Sequence, residues 1–179
     1  VENAVGTKSY KPGTILDSYL GKTVEIGNTD AEGRLALADA MAYVVKNYKP
    51  SRIVDFATLT GSIVAALGED YAGLFSTDKV ADKILEAGDY VGEKVWRMPL
   101  PDDYNELLKS KIADLNNISS SNYGGAITAA LFLKNFVGET PWTHIDIAGT
   151  ARGSKRKHYW PVYGTGFGVR LMLEWLRKN

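Results

Sequence analysis

Asn28-Thr29-Asp30-Ala31-Glu32-Gly33-Arg34 lies between a short strand-like segment, Thr23 to Ile26, and a long stretch with apolar residues at helical spacing. It is therefore a strand-to-helix junction rich in charge. If the junction is extended, side chains at period two point the same way, which brings Asp30, Glu32 and Arg34 to one side. Two carboxylates so close repel unless a cation or a shared proton sits between them. Hard divalent cations take such oxygen ligands, and zinc accepts them too. The alternative is a plain helix start, with Asp30 as its cap and Glu32 and Arg34 as solvated first-turn charges.

Working outward from the junction, Leu35, Ala38, Met41/Ala42 and Val45 recur at helical spacing, with Leu37 and Val44 widening the stripe. This helix should end near Tyr48, ahead of Pro50. Arg52 to Ala57 is a short apolar run of the kind found in buried parallel strands. Thr58-Leu59-Thr60-Gly61 leaves that strand, and Ser62 to Leu67 starts a short helix. Tyr71 to Phe75 reads as a strand, Asp78 to Val91 as a helix, Trp96 to Leu100 as extended, and Asp102 to Leu108 as a short helix. Asn116 to Gly125 is a polar loop, long enough to suggest mobility or partner contact. Ala126 to Val137 is a small-residue helix, Trp142 to Ala148 a strand, Gly149 to Tyr163 a basic loop, and a final helix runs through Leu171, Leu173 and Leu176. Residues 1 to 21 read as a surface loop with one helical turn and a turn at Pro12-Gly13.

Strands alternating with helices predict an α/β fold: three layers, α/β/α, with a mostly parallel central sheet covered by helices on both faces. In such sheets ligands bind beyond the carboxyl ends of the strands. The segments at Asn28, Thr58 and His144 to Gly149 are expected at that rim.

The 179 residues suit a single domain, 1–179, with a sizeable core. Lys+Arg and Asp+Glu balance at 21 each, so no global field draws nucleic acid or a membrane surface. The sequence has no Cys, which excludes a disulfide framework and any thiolate metal site. No run approaches the roughly 18 apolar residues of a membrane span. These features fit a cytoplasmic protein.

The junction also has collinear company. NTDAEGRLALADA and Ala57-Thr58-Leu59-Thr60-Gly61 are joined by Glu2-Asn3, Pro12-Gly13, Gly21-Lys22-Thr23-Val24-Glu25 and Trp96-Arg97-Met98-Pro99-Leu100. Ala113-Asp114, Asn116-Asn117, Thr128-Ala129-Ala130 and His144-Ile145-Asp146-Ile147-Ala148-Gly149 continue the series. Together they resemble the two-metal leucyl aminopeptidases nearly end to end. The resemblance implies a metal-dependent aminopeptidase that releases N-terminal residues, leucine and other apolar ones, from peptides through a metal-activated water. It implies two divalent ions, zinc or manganese with magnesium as a further option. Glu32 would bridge them and Asp30 would bind one. Arg34 would hold a bicarbonate or the developing oxyanion charge, a task suited to its planar fork. The Leu59 carbonyl and Gly61 amide would hold the substrate's main chain, with Thr58 bordering the side-chain pocket. Ala148 and Ala151 would line that pocket, where small residues leave a roomy apolar slot; plain packing is the alternative for both.

In that family further ligands precede the Glu-Asn pair, so the sequence is expected to be the C-terminal portion of a longer catalytic domain, inactive alone. The competing expectation is a non-catalytic oligomerisation or interaction module. The family also forms hexamers, which points to a homo-oligomer, with the loops 116–125 and 153–163 and the aromatics Tyr159, Trp160 and Tyr163 as contact candidates. Neither a membrane nor nucleic acid is expected as a partner. His144, close to Asp146, lacks a matched nucleophilic Ser and reads as a satisfied core histidine. The basic run Lys155-Arg156-Lys157-His158 reads as a solvated loop.

Overall fold

The computed structural model describes residues 6–153, 160 and 162–178. In chain order the elements are β1 (Ile15–Asp17), β2 (Thr23–Glu25), α1 (Glu32–Tyr48), β3 (Ile53–Ala57), α2 (Gly61–Leu67), β4 (Ala72–Ser76), α3 (Val80–Val91) and β5 (Val95–Arg97). A 3-10 helix (Asp102–Leu108), β6 (Leu115–Asn116), α4 (Gly125–Lys134), β7 (Trp142–Asp146), β8 (Arg152–Gly153), β9 (Tyr163–Gly164) and α5 (Val169–Lys178) follow. The architecture is α/β, and its elements fall into two compact units. One comprises Val1–Ile53 and Pro101–Thr140, the other Val54–Leu100 and Pro141–Asn179.

In the first unit the strands run in the order β1-β2-β6. β1 and β2 pair antiparallel, with Leu16 opposite Val24, and β2 and β6 pair parallel, with Val24 opposite Leu115. α1 turns Ala38, Met41 and Ala42 inward, as its stripe requires. It stops at Lys49, whose left-handed φ of 47° lets its N–H reach the Val45 carbonyl just ahead of Pro50. α4 is apolar nearly all round and buries Ala126, Ala129, Ala130, Leu131, Phe132 and Leu133. The sequence reading missed β1 and β6. Both are too short to show a period, and β6 exists because its neighbour β2 supplies the ladder.

The second unit holds a four-stranded sheet in the order β3-β7-β4-β5. Parallel pairing of β4 with β5 matches the sequence expectation, whereas β4 and β7 run antiparallel, so the sheet is mixed. Apolar composition identifies a buried strand without telling its direction. The sheet buries Ala72, Leu74, Phe75 and Ile145 completely. Ile84 and Ala87 of α3 and Leu171 and Trp175 of α5 close the same core. Buried polar groups also serve this unit. The Glu93 carboxylate accepts the Gly168 amide (3.0 Å) and the Leu171 amide (2.9 Å), so it holds the start of α5 with favourable charge against the helix dipole. His144 lies between Phe75 and Trp142, stacked on both, with Nδ1 2.6 Å from Asp55 Oδ1. Asp55 takes the Trp142 indole N–H on its other oxygen, at 2.7 Å. His144 is thus a core histidine as expected, although its Nε2 has no hydrogen-bond partner among the described residues.

The polar loop after β6 is pinned rather than free. Asn116, Ser119 and Ser121 each accept the amide two residues on, and the Ser120 amide donates to the Leu107 carbonyl. The basic run 155–158 and Tyr159 lie outside the described residues. Trp160 is half-buried, edge-on to Phe167 and packed on its own unit's core, while Tyr163 is exposed.

Glu93→Ala strands two helix-start amides and should cost about 2–3 kcal/mol. Amide exchange at Gly168 and Leu171 should rise ahead of the rest of the second unit. In the first unit, Thr23 donates its amide and hydroxyl to Asp114 Oδ2, both at 2.8 Å, and accepts the Asp114 amide in return. Those bonds, first the backbone one, hold the Asp114 carboxyl below its ordinary 3.8. A depressed carboxyl stabilises the fold above its unfolded pKa and loses that contribution as pH falls through the lower folded value. Acidification below about pH 4 should therefore raise exchange at the Thr23 amide, and Asp114→Asn should remove that pH dependence.

Candidate active-site segments

The sequence-predicted site residues fall in both units. Asp30, Glu32 and Arg34 are in the first, and Thr58, Leu59, Gly61, Ala148 and Ala151 in the second.

The junction before α1 is a turn, not an extended segment. The Asn28 side chain accepts the Asp30 amide at 2.9 Å, closing an Asx turn over Asp30. Ala31 is the N-cap and no side chain caps the helix, so Asp30 does not serve as the cap. Glu32 and Arg34 are already helical, and residues two apart on a helix point away from each other. Period-two convergence is thereby overturned, because an asparagine bonded to its own loop had set the backbone before any strand geometry could apply. Arg34 is also no solvated charge. It is buried, and its Nη1 donates to the Asn117 carbonyl at 2.8 Å.

Asp30 is exposed and Glu32 half-buried, which leaves two hard oxygen donors two residues apart in the turn and open to a ligand. They suit a divalent ion without completing its shell. Among the described residues no group of three or more His, Cys, Asp or Glu side chains could hold one. The Glu32 charge is felt at Tyr10, whose phenol is pushed above its ordinary 10.0 by burial first and by Glu32 second. Tyr10 was not singled out in the sequence, where no pattern links it to Glu32.

In the second unit, Thr58 to Gly61 and Ala148 to Ala151 are brought together by one buried carboxylate. Asp146 Oδ1 accepts the Leu59 amide (3.0 Å) and the Ala148 amide (3.2 Å), while Oδ2 accepts the Thr60 hydroxyl (2.7 Å). Thr60 Oγ1 in turn accepts the Ile63 amide and caps α2, and the Ile147 amide donates to the Ala57 carbonyl. The tight turn after β7 continues with the Ala151 amide on the Ile147 carbonyl at 2.8 Å. Gly149 is required here, since a Cβ would run into the Gly68 carbonyl. Asp146 belongs to the quoted His144 to Gly149 segment, but residue type and spacing alone do not predict that it ties two strand ends together.

Asn117 plays the corresponding part in the first unit. It is fully buried, and its side-chain oxygen takes the Gly27 amide at 2.8 Å. Its place in the Asn116-Asn117 pair does not by itself assign it a task.

Comparison with known proteins identifies the family. The model of the cytosol aminopeptidase family, catalytic domain, matches residues 1–173. A probable cytosol aminopeptidase of Protochlamydia amoebophila (strain UWE25) is 53% identical over 179 residues, covering 99% of this chain and 36% of that protein. Another, of Cenarchaeum symbiosum (strain A), is 52% identical over 181 residues, covering 99% and 37%. A solved structure of a tomato leucine aminopeptidase mutant superimposes with a TM-score of 0.91 at 44% identity, covering 99% of this chain and 34% of that one. The chain therefore spans about a third of the length of the relatives it matches. With the family model matched over residues 1–173 and the α/β fold shared with a solved leucine aminopeptidase, the chain belongs to the cytosol aminopeptidase family.

Proposed function

We propose that the protein is a metal-dependent aminopeptidase that removes N-terminal residues, leucine and other apolar ones, from peptides. The observation that carries this reading is the pairing of the exposed Asp30 and half-buried Glu32 at the strand-to-helix turn, within a family match over residues 1–173. Asp30 and Glu32 would contribute carboxylate oxygens to two divalent ions, zinc or manganese, with magnesium a further option. Such ions, when bound, polarise the scissile carbonyl and lower the pKa of a water.

The other steps fall to the chain's own groups. Arg34 would present its guanidinium to a bicarbonate or to charge developing on the carbonyl oxygen. Its burial and its bond to Asn117 support that role, since a fork held in place stabilises charge without reorganising. The Leu59 carbonyl and Gly61 amide would hold the substrate's main chain, supported by Asp146 and by the cap at Thr60. Thr58, Ala148 and Ala151 would border the slot for the first side chain. Ala148 and Ala151 are half-buried, as residues lining such a slot would be. Cytoplasmic location is supported by the relatives' names, and among the described residues no helix is long and apolar enough to cross a membrane. Homo-oligomerisation is proposed on the same family basis. Exposed Tyr123 and Tyr163 are residues suited to a contact.

The test is hydrolysis of leucyl-p-nitroanilide with added Mn²⁺ or Zn²⁺. In the complete protein we expect metal-dependent turnover, lost in Asp30→Ala and Glu32→Ala. Expressed by themselves, the 179 residues should show none, as two carboxylates do not fill a two-metal site. Full activity in Glu32→Ala overturns the reading, and a complete protein without turnover favours the interaction module.

Asp146→Ala should lower kcat/KM about 10²-fold by loosening the Leu59 and Ala148 backbone. Metal affinity should be unchanged, and titration calorimetry alongside the kinetics separates the two.

A further inference from the structure

We propose that Asn117 is a positioning residue for the reaction, one that sets the metal-ligand turn and the Arg34 guanidinium as a single body; this rests on the aminopeptidase reading above. Its side chain is fully buried and uses its whole hydrogen-bonding capacity on one short stretch of main chain. Oδ1 accepts the Gly27 amide (2.8 Å) and the Asn28 amide (3.2 Å). Nδ2 donates to the Asn28 carbonyl (2.7 Å) and the Ala31 carbonyl (3.4 Å). Two donors on one side and two acceptors on the other leave the amide a single orientation.

The main chain of Asn117 completes the arrangement. Its amide donates to the Glu25 carbonyl at 2.9 Å, at the end of β2, and its carbonyl accepts Arg34 Nη1 at 2.8 Å. One residue therefore holds the last carbonyl of the strand, four backbone groups of the turn and the guanidinium in the first turn of α1. Asp30 and Glu32 lie within that span, so their spacing relative to Arg34 is inherited from Asn117. Gly27 makes the close approach possible, because a Cβ there would lie 2.5 Å from Asn116 Oδ1 and 2.7 Å from the Ile118 side chain.

The chemistry admits no substitute. Aspartate would set an anionic oxygen against the Asn28 and Ala31 carbonyls and lose both donors. Serine is too short to reach the four groups. Glutamine would carry the amide one methylene too far into a packed site.

The experiment measures Mn²⁺ affinity by titration calorimetry, leucyl-p-nitroanilide kinetics, and amide exchange at Gly27 and Asn28 in the complete protein. The variants are Asn117→Asp, Asn117→Ser and Glu32→Ala. The Asn117 variants should lose about 10–100-fold in metal affinity and in kcat with KM little changed, and exchange at Gly27 and Asn28 should accelerate. If Asn117→Asp does not fold, Asn117→Ser, which leaves only a small polar gap, carries the test. Lowered thermal stability with wild-type Mn²⁺ affinity and kcat reduces Asn117 to a structural role and overturns the proposal alone. Wild-type Mn²⁺ affinity in Glu32→Ala overturns the metal reading, and the proposal with it.

Discussion

A chain that leaves a strand and enters a helix within a few residues must find partners for backbone groups that neither ladder can satisfy. Between β2 and α1 that burden falls on Gly27, Asn28 and Ala31, and the Asn117 carboxamide meets it. The rest of the first unit's functional geometry depends on this one buried side chain. Without it the Gly27 and Asn28 amides and the Asn28 and Ala31 carbonyls would lose these partners. A net contribution of about 1 kcal/mol per hydrogen bond makes the cluster stabilising. The cost of leaving its buried groups unmet is what makes it specific.

The second unit solves the same problem with a charge. Asp146 gathers two amides and a hydroxyl from two strand ends, and charge-assisted bonds of this kind are shorter and stronger than neutral ones. Glu93 repeats the device at the start of α5. In each case a buried carboxylate holds backbone amides of an irregular segment that lies far away in sequence, 87 residues for Leu59 and 75 for Gly168. Rigid support beneath and accessible chemistry above is how loops on a scaffold come to carry function.

The parts of this fold that were legible in the sequence are those written in local periodicity. The stripe from Leu35 to Val45 marked α1 to within its actual bounds, Glu32–Tyr48, and Pro50 marked its end. The short apolar runs at Ile53 and Trp142 marked β3 and β7. Strand direction was not legible, because burial on both faces reads the same whichever way the neighbour runs. Nor was the junction's geometry. Period two applies to strands alone, and an Asx turn at Asn28 replaced it. The candidate residues Asp30, Glu32 and Arg34 came from residue type and from the family pattern. Asn117 and Asp146 stand in the family-like motifs, but their contacts were not legible, because those exist only once segments some 83 to 90 residues apart have met.

The central claim is that the turn after β2 holds metal for peptide-bond hydrolysis. Anomalous diffraction at the zinc edge from crystals of the complete protein soaked in Zn²⁺ tests it most directly. The account requires a peak about 2.0–2.2 Å from carboxylate oxygens of both Asp30 and Glu32. Zinc peaks confined to other residues, with both carboxylates bare, would contradict it.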